Sequence, residues 1–148
     1  NHFIFQMIEN LIVIPYRDRK SHLEYYLQHT LPLLQKHLSS FHIIIVEQDD
    51  TTKLFNRGKL INVAAIEYKD TAKYLITQDV DTIPNEFAIR NFYSAQMNNN
   101  QIHSFFSAHS SSLGGIVKIP MSSFHSINGF PNYIWGWGIE DRVLFYRS

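Results

Sequence analysis

The sequence predicts a single α/β domain built on a partly parallel sheet. Short apolar runs alternate with helix-patterned segments, and their order is strand, helix, strand, helix, strand. The chain has 148 residues, 45% hydrophobic and 18% charged, which suffices for one core and is short for two. Leu11-Ile12-Val13-Ile14 is a continuous apolar run closed by Pro15, the pattern of a strand buried on both faces. Ser21 and Glu24 have capping-box spacing, with Leu23, Tyr26, Leu27 and Leu31 following at helical intervals. Pro32 is expected to end or kink that helix, which resumes through Leu38. Residues 41–46, rich in β-branched side chains, form the second strand. Residues 55–68 form the next helix, with Leu60, Val63, Ala64 and Ile66 as its apolar face. A third strand over 73–77 runs directly into Gln78-Asp79-Val80-Asp81, and Pro84 opens a helical stretch to about Gln96. Strands over 102–108 and 115–119 and a short helix over 121–127 complete the pattern.

Composition excludes several classes of function. Thirteen Lys and Arg balance thirteen Asp and Glu, so the basic surplus of a nucleic-acid binder is missing. With no cysteine there is neither a disulfide nor a Cys-based zinc site. No apolar run approaches the ~20 residues of a membrane span, and no signal-peptide pattern opens the chain. There is no internal repeat and no linker long enough to divide the chain. One catalytic domain over residues 1–148 is expected, and the stop at Ser148 on an apparent helix predicts a protein that continues.

Four groups of residues carry chemistry. Asp79 and Asp81 stand at i and i+2 at the end of an apolar strand, so in extended chain both would project to one side. Two acids so close repel unless a cation compensates, and a hard divalent ion, Mg²⁺ or Mn²⁺, suits oxygen ligands. The same pair also suits a loop in which one Asp caps the helix near Pro84. Pro15-Tyr16-Arg17-Asp18-Arg19 follows the first strand, where forked guanidinium donors can clamp phosphate oxygens or pair with Asp18 and Glu24. Asn56-Arg57-Gly58-Lys59 opens a helix, and helix N-termini favour anions. The last group, Asn128-Gly129-Phe130-Pro131 with Trp135-Gly136-Trp137-Gly138-Ile139-Glu140-Asp141, is the most distinctive. Glycines alternating with tryptophans make neither a regular helix nor a strand. They free the indoles as platforms for a sugar ring, or else build a Trp-rich core corner.

Taken together in their order along the chain, these landmarks resemble the β-1,4-galactosyltransferase family, glycosyltransferase family 7. The resemblance runs from about Leu11 to the chain end and is strongest in the Asn-Gly-Phe-Pro to Trp-Gly-Trp-Gly block. It implies a GT-A-type nucleotide-sugar-binding fold, a mostly parallel central sheet flanked by helices. The implied reaction is inverting β-1,4 transfer of galactose or N-acetylgalactosamine from a UDP-sugar, with Mn²⁺ or Mg²⁺. By this resemblance Pro15, Tyr16, Arg17, Arg19, Arg57, Asp79 and Val80 line the nucleotide-sugar site, and Asp81 is the metal ligand. Trp137 closes over the donor, Gly138, Glu140 and Ser112 border the sugars, and Asp141, beside Glu140, is the catalytic base. The implied partners are a UDP-sugar donor and a glycan acceptor ending in N-acetylglucosamine or glucose, with no nucleic acid and no membrane contact within this chain. The implied location is the Golgi lumen, with the cytoplasm as the alternative for a Cys-free chain.

The chain departs from the family pattern in places. Ile139 stands where a second glycine is usual, and Arg142 where a further Asp is usual. Ser112 replaces a donor-restricting tyrosine and leaves room for an N-acetyl group. Met121 and His125 do not occupy the place of the family's Met-x-x-His metal ligands, which fall beyond Ser148. A non-catalytic sugar-binding relative and, apart from the resemblance, a Mg²⁺-dependent nucleotidyltransferase built on Asp79 and Asp81 are the alternative functions.

Overall fold

The computed structural model describes residues 6–49, 54–99, 101–105 and 115–130. Within them lies a five-stranded sheet of order β2-β1-β3-β5-β4. Its strands are β1 (Ile8–Tyr16), β2 (Phe41–Glu47), β3 (Ala72–Gln78), β4 (His103–Phe105) and β5 (Ile116–Pro120). β1 pairs in parallel with both β2 and β3, whereas β5 is antiparallel to β3 and to β4. Among the described residues, four strands therefore share one direction and β5 runs against them. The sheet expected from the sequence is present as a mixed one, with two parallel and two antiparallel pairings, and its chemistry-bearing loops leave the C-terminal ends of β1 and β3.

β1 is the anchor. Leu11, Ile12, Val13 and Ile14 are all fully buried, and each such side chain is worth about 1.5–3 kcal/mol. Alternate residues serve opposite faces of the sheet. Leu11 and Val13 pack with Ile61, Ala64 and Ala65 of α3 (Arg57–Glu67) and with Met121 and Phe124 of α5 (Met121–Ser126). Ile12 and Ile14 pack with Tyr26 of α1 (Lys20–His29) and Leu34 of α2 (Leu31–His37). Pro15 is tolerated late in this central strand because the β3 register ends at Val13 opposite Thr77, leaving Pro15 paired with β2 alone.

Several local expectations need correction. Ser21 is not the cap of α1: the helix begins at Lys20 with Arg19 at the N-cap position, and no side chain caps it. The sharp turn at Asp18, where φ is 50°, starts the helix two residues too early for a Ser21–Glu24 box. The break near Pro32 is real. Thr30 ends α1 and begins α2, and Pro32 sits in the first turn, where its missing N–H costs nothing. On α3 the buried stripe is Gly58, Ile61, Ala64 and Ala65, while Val63 (52% exposed) and Ile66 (69% exposed) face solvent. Asn56, accepting from the Lys59 backbone N–H at 3.0 Å, caps this helix and fixes its rotation from the N-terminal end. The stretch after Pro84 is α4 (Glu86–Ala88) running into a π-helical segment, Ile89–Tyr93, and it ends short of Gln96. Of the strand expected over 102–108, residues 103–105 form β4, and 106–108 lie outside the described residues.

On the α1/α2 side, β5 buries Lys118 completely. Its ammonium donates to the carbonyls of Tyr93 at 2.6 Å and Ala95 at 2.7 Å and lies 4.5 Å from the Tyr74 ring. Burial pulls its pKa from 10.5 down to about 8, with Glu9 opposing and Lys73 reinforcing the shift. Burial also raises the phenols of Tyr26 and Tyr93 above their ordinary value of 10. The unfolded chain then binds the Lys118 proton that the folded chain has released between about pH 8 and 10, so stability should rise with pH across that window. Above about pH 10 the unfolded tyrosines ionise and the folded ones do not, so stability should fall again. Denaturant titrations at stepped pH check this, and Lys118→Met should abolish the rising limb.

Candidate active site at the ends of β1 and β3

The order β2-β1-β3 makes the gap between β1 and β3 a topological switch point. The chain leaves β1 toward β2 through α1 and α2, then crosses back by α3 to β3 on the other side. Ligands in such sheets bind beyond the carboxyl ends of the strands, where the departing loops diverge. At the end of β1, Pro15 is buried, Tyr16 and Arg17 are half-buried, and Arg19 is exposed. The Arg17 guanidinium lies 5.6 Å from the centre of the Phe55 ring, tying this loop to the approach of α3. Gln48, just after β2, laces the same approach: its amide donates to the Leu54 carbonyl at 3.1 Å and accepts from the Asn56 N–H at 2.9 Å.

Asp79 and Asp81 do not project to one side, contrary to the expectation from extended geometry. β3 ends at Gln78, and Asp79 to Thr82 form a turn in which the Thr82 N–H donates to the Asp79 carbonyl at 3.1 Å. Asp79 reaches toward α3, where Arg57 Nε donates to its carboxylate at 2.6 Å. Arg57 is itself only 8% exposed and lies 5.5 Å from the Phe130 ring centre. The charge that compensates this acid is therefore built into the protein. Val80 is buried in the α1/α2-side core. Asp81 is exposed and lines a pocket of about 230 Å³ with Ser21, His22, Tyr25, Val80 and Ile83.

Asp81 makes no hydrogen bond or ion pair with any other described residue, and its carboxylate is a hard oxygen donor. That chemistry fits a Mg²⁺- or Mn²⁺-type ion. The described residues contain no group of three or more His, Asp or Glu that could hold a metal by themselves, so an ion at Asp81 would need further ligands. Arg57, expected as a diphosphate contact, donates through its Nε to Asp79. Ser112, Trp137, Gly138, Glu140 and Asp141 lie outside the described residues.

Residues not singled out from the sequence complete the frame. Asn62 of α3 holds the Asn-Gly-Phe turn, donating to the Phe130 carbonyl at 2.6 Å and accepting from the Phe130 N–H at 3.0 Å. Asn128 and Gly129 both adopt positive φ, 62° and 58°, which brings the chain tightly against α3. A Cβ at Gly129 would meet Asn62 Oδ1 at 2.6 Å and the Phe124 ring at 2.9 Å. Gln78 and Tyr93 brace the Asp79–Thr82 turn. A polar residue closing an apolar strand directly before an acid was the available signal for Gln78.

Two substitutions test this geometry by denaturant unfolding. Arg57→Met leaves the Asp79 carboxylate uncompensated and should cost about 3 kcal/mol, with Arg57→Lys recovering only part because one ammonium does not replace a fork. Gly129→Ala combines positive φ with a clash against the Asn62 and Phe124 side chains and should cost about 2–3 kcal/mol.

Comparison with known proteins agrees with this architecture. Residues 6–96 match the N-terminal region of glycosyl transferase group 7, and residues 96–148 match the N-terminal domain of galactosyltransferase. Mouse beta-1,4-galactosyltransferase 5 is 37% identical over 144 residues, covering 92% of this chain and 36% of that protein. Human beta-1,4-galactosyltransferase 1 is 37% identical over 142 residues, covering 92% of this chain and 35% of that protein. The chain thus spans about a third of the length of these curated relatives. The crystal structure of a mutant Drosophila beta-1,4-galactosyltransferase 7 in complex with manganese, UDP-Gal and xylobiose superposes with a TM-score of 0.82 at 27% identity. That superposition covers 95% of this chain and 60% of the other. The switch-point sheet, with its Arg-rich loop after β1 and its Asp-x-Asp turn after β3, is a GT-A fold, and the chain belongs to glycosyltransferase family 7.

Proposed function

We propose that the protein is an inverting, Mn²⁺-dependent glycosyltransferase that moves galactose or N-acetylgalactosamine from a UDP-sugar to a glycan hydroxyl in β-1,4 linkage. The observation that carries this reading is the juxtaposition, at one switch point, of the Arg17–Arg19 loop and an exposed Asp81 that pairs with no other described residue. A relative of the same fold was crystallised with manganese, UDP-Gal and a xylose disaccharide, which supports both ligand classes.

In this reading the loop over 15–19 receives the uridine diphosphate, with Tyr16 and Arg17 beside it and the exposed Arg19 supplying charge to the phosphates. Buried Val80 forms an apolar wall, and Asp81 holds the cation. When bound there, the cation would supply charge neutralisation for the diphosphate. Arg57 acts indirectly, by keeping Asp79 in place. Asp141 takes the proton of the acceptor hydroxyl as that oxygen attacks the anomeric carbon. The bond to the UDP oxygen breaks in the same displacement, so configuration inverts without a covalent intermediate. A positioned base of this kind contributes about 10²–10⁴-fold. Trp137, with Gly138 beside it, would close over the donor and exclude water, while Glu140 holds sugar hydroxyls. The small Ser112 leaves space for an N-acetyl group, so UDP-N-acetylgalactosamine joins UDP-galactose as a donor. Acceptors ending in N-acetylglucosamine or glucose are the first to test. The Golgi lumen is the proposed place of action; among the described residues no helix is long and apolar enough to cross a membrane.

A UDP-release assay on the protein at its full natural length, with both donors and with or without Mn²⁺, tests the proposal. Mn²⁺-dependent release that requires an acceptor is the expected result, and release of pyrophosphate or nucleoside monophosphate instead would overturn it. Asp141→Asn should lower kcat by about 10²–10⁴-fold while UDP affinity holds. Asp81→Asn should remove the Mn²⁺-dependent part of UDP binding.

A further inference from the structure

Gln78 ends β3 and is fully buried, an unusual place for an amide between an apolar strand and a pair of acids. Its amide is engaged at both ends. The Tyr93 hydroxyl donates to Gln78 Oε1. Burial, reinforced by the nearby Tyr26, raises the Tyr93 phenol well above its ordinary pKa, so it stays protonated and remains a donor. With Oε1 accepting, Nε2 directs its hydrogens at the carbonyl oxygens of Asp79, at 2.8 Å, and Thr82, at 2.6 Å. These two carbonyls bracket Val80 and Asp81. One side chain thus fixes both ends of the turn from which Asp81 projects, in addition to the Thr82 to Asp79 backbone bond. Tyr93 is held in turn. It closes the π-helical segment, a geometry frequent at functional sites, and its own carbonyl accepts from the buried Lys118 at 2.6 Å.

We propose that Gln78, clamped by Tyr93, is a positioning residue that sets the direction in which Asp81 presents its carboxylate to a divalent cation and diphosphate. The inference rests on the reading of Asp81 as the cation-holding residue. It adds that the aim of this carboxylate is set by a neutral amide acting through the main chain, with no contact to Asp81 itself. A side chain that only filled the core would need no hydrogen bond to either carbonyl. Outer partners that orient a ligating residue typically govern about 10–100-fold in metal affinity.

The test uses the full-length protein and two measurements: Mn²⁺ uptake in the presence of UDP, followed by the electron-spin signal of free Mn²⁺, and UDP affinity in EDTA. Gln78→Met keeps the length of the side chain and deletes the acceptor and both donors. Gln78→Glu keeps an acceptor for Tyr93 and deletes the donors to the turn. Both should weaken Mn²⁺ uptake by about 10-fold or more while metal-free UDP affinity holds. Tyr93→Phe removes one hydroxyl, should weaken uptake to a smaller extent, and should add nothing on top of Gln78→Met. If Gln78→Met does not fold, Tyr93→Phe and Gln78→Glu carry the same comparison. Unchanged Mn²⁺ uptake in the folded variants would overturn the inference, as would a loss of UDP affinity that is equal with and without metal. If the wild-type protein itself takes up no Mn²⁺, the reading of Asp81 falls and the positioning role with it. If wild type and variants take it up alike, only the positioning role falls.

Discussion

The ion pair between Arg57 and Asp79 is the contact on which this end of the molecule depends. Removing a guanidinium and a carboxylate from water costs several kcal/mol for each ion, so the pair persists only if its surroundings hold both groups in register. They do so from three directions. Asn56 caps α3 and places Arg57 in its first turn, a position where the helix dipole disfavours a cation. The Asp79 carboxylate, arriving from β3, answers both that cation and the dipole. The Phe130 ring lies against the guanidinium, and Asn62 secures Phe130 by two backbone hydrogen bonds. Helix α3, strand β3 and the Asn-Gly-Phe turn are thereby locked together at a single point.

One consequence is a division of roles between two chemically identical acids. Asp79 faces α3 and is occupied; Asp81 faces α1 and is exposed. Like charges two residues apart would resist joint ionisation if they shared a site. Directing one to a fixed internal cation lowers that mutual cost and leaves the other to interact with an external one. The repulsion that makes Asp-x-Asp a conspicuous sequence feature is resolved by geometry before any ligand arrives.

Much of this was legible in the sequence. The β1 run, the break at Pro32, the strand before Asp79 and the family landmarks all rest on local patterns that tertiary packing did not override. What was missed depends on contacts between distant segments. Extended-chain alternation placed Asp79 and Asp81 together, because nothing local reveals that the strand stops at Gln78 and that Arg57 waits across the sheet. The face of α3 was misjudged because Val63 and Ile66 are more apolar than the Gly58 and Ala65 that the sheet covers. On a helix packed this closely, small size counts for more than hydrophobicity. The π-helical segment after Ala88 was invisible, since one extra residue in a turn leaves no compositional mark. The residues bracing the site, Asn62, Gln78 and Tyr93, look ordinary until their partners are known.

The register of β1 explains why the crevice opens where it does. With β3 its pairing ends at Val13 opposite Thr77, while with β2 it continues to Tyr16 opposite Glu47. Ile14, Pro15 and Tyr16 therefore extend past the neighbouring strand as a ledge supported from one side. Pro15 has no N–H to present, so the ledge carries fewer unsatisfied backbone donors than another residue would leave there. β3 meanwhile turns away at Gln78, and its carbonyls at Asp79 and Thr82 are covered by an amide from within. Under the proposed function, a phosphate at this step would meet the guanidinium groups of the β1 loop and the exposed carboxylate of Asp81. In that reading a divalent cation would join the acid to the phosphate. The mismatch in strand length thus supplies the space, and the separation of the two aspartates determines which wall of that space is acidic.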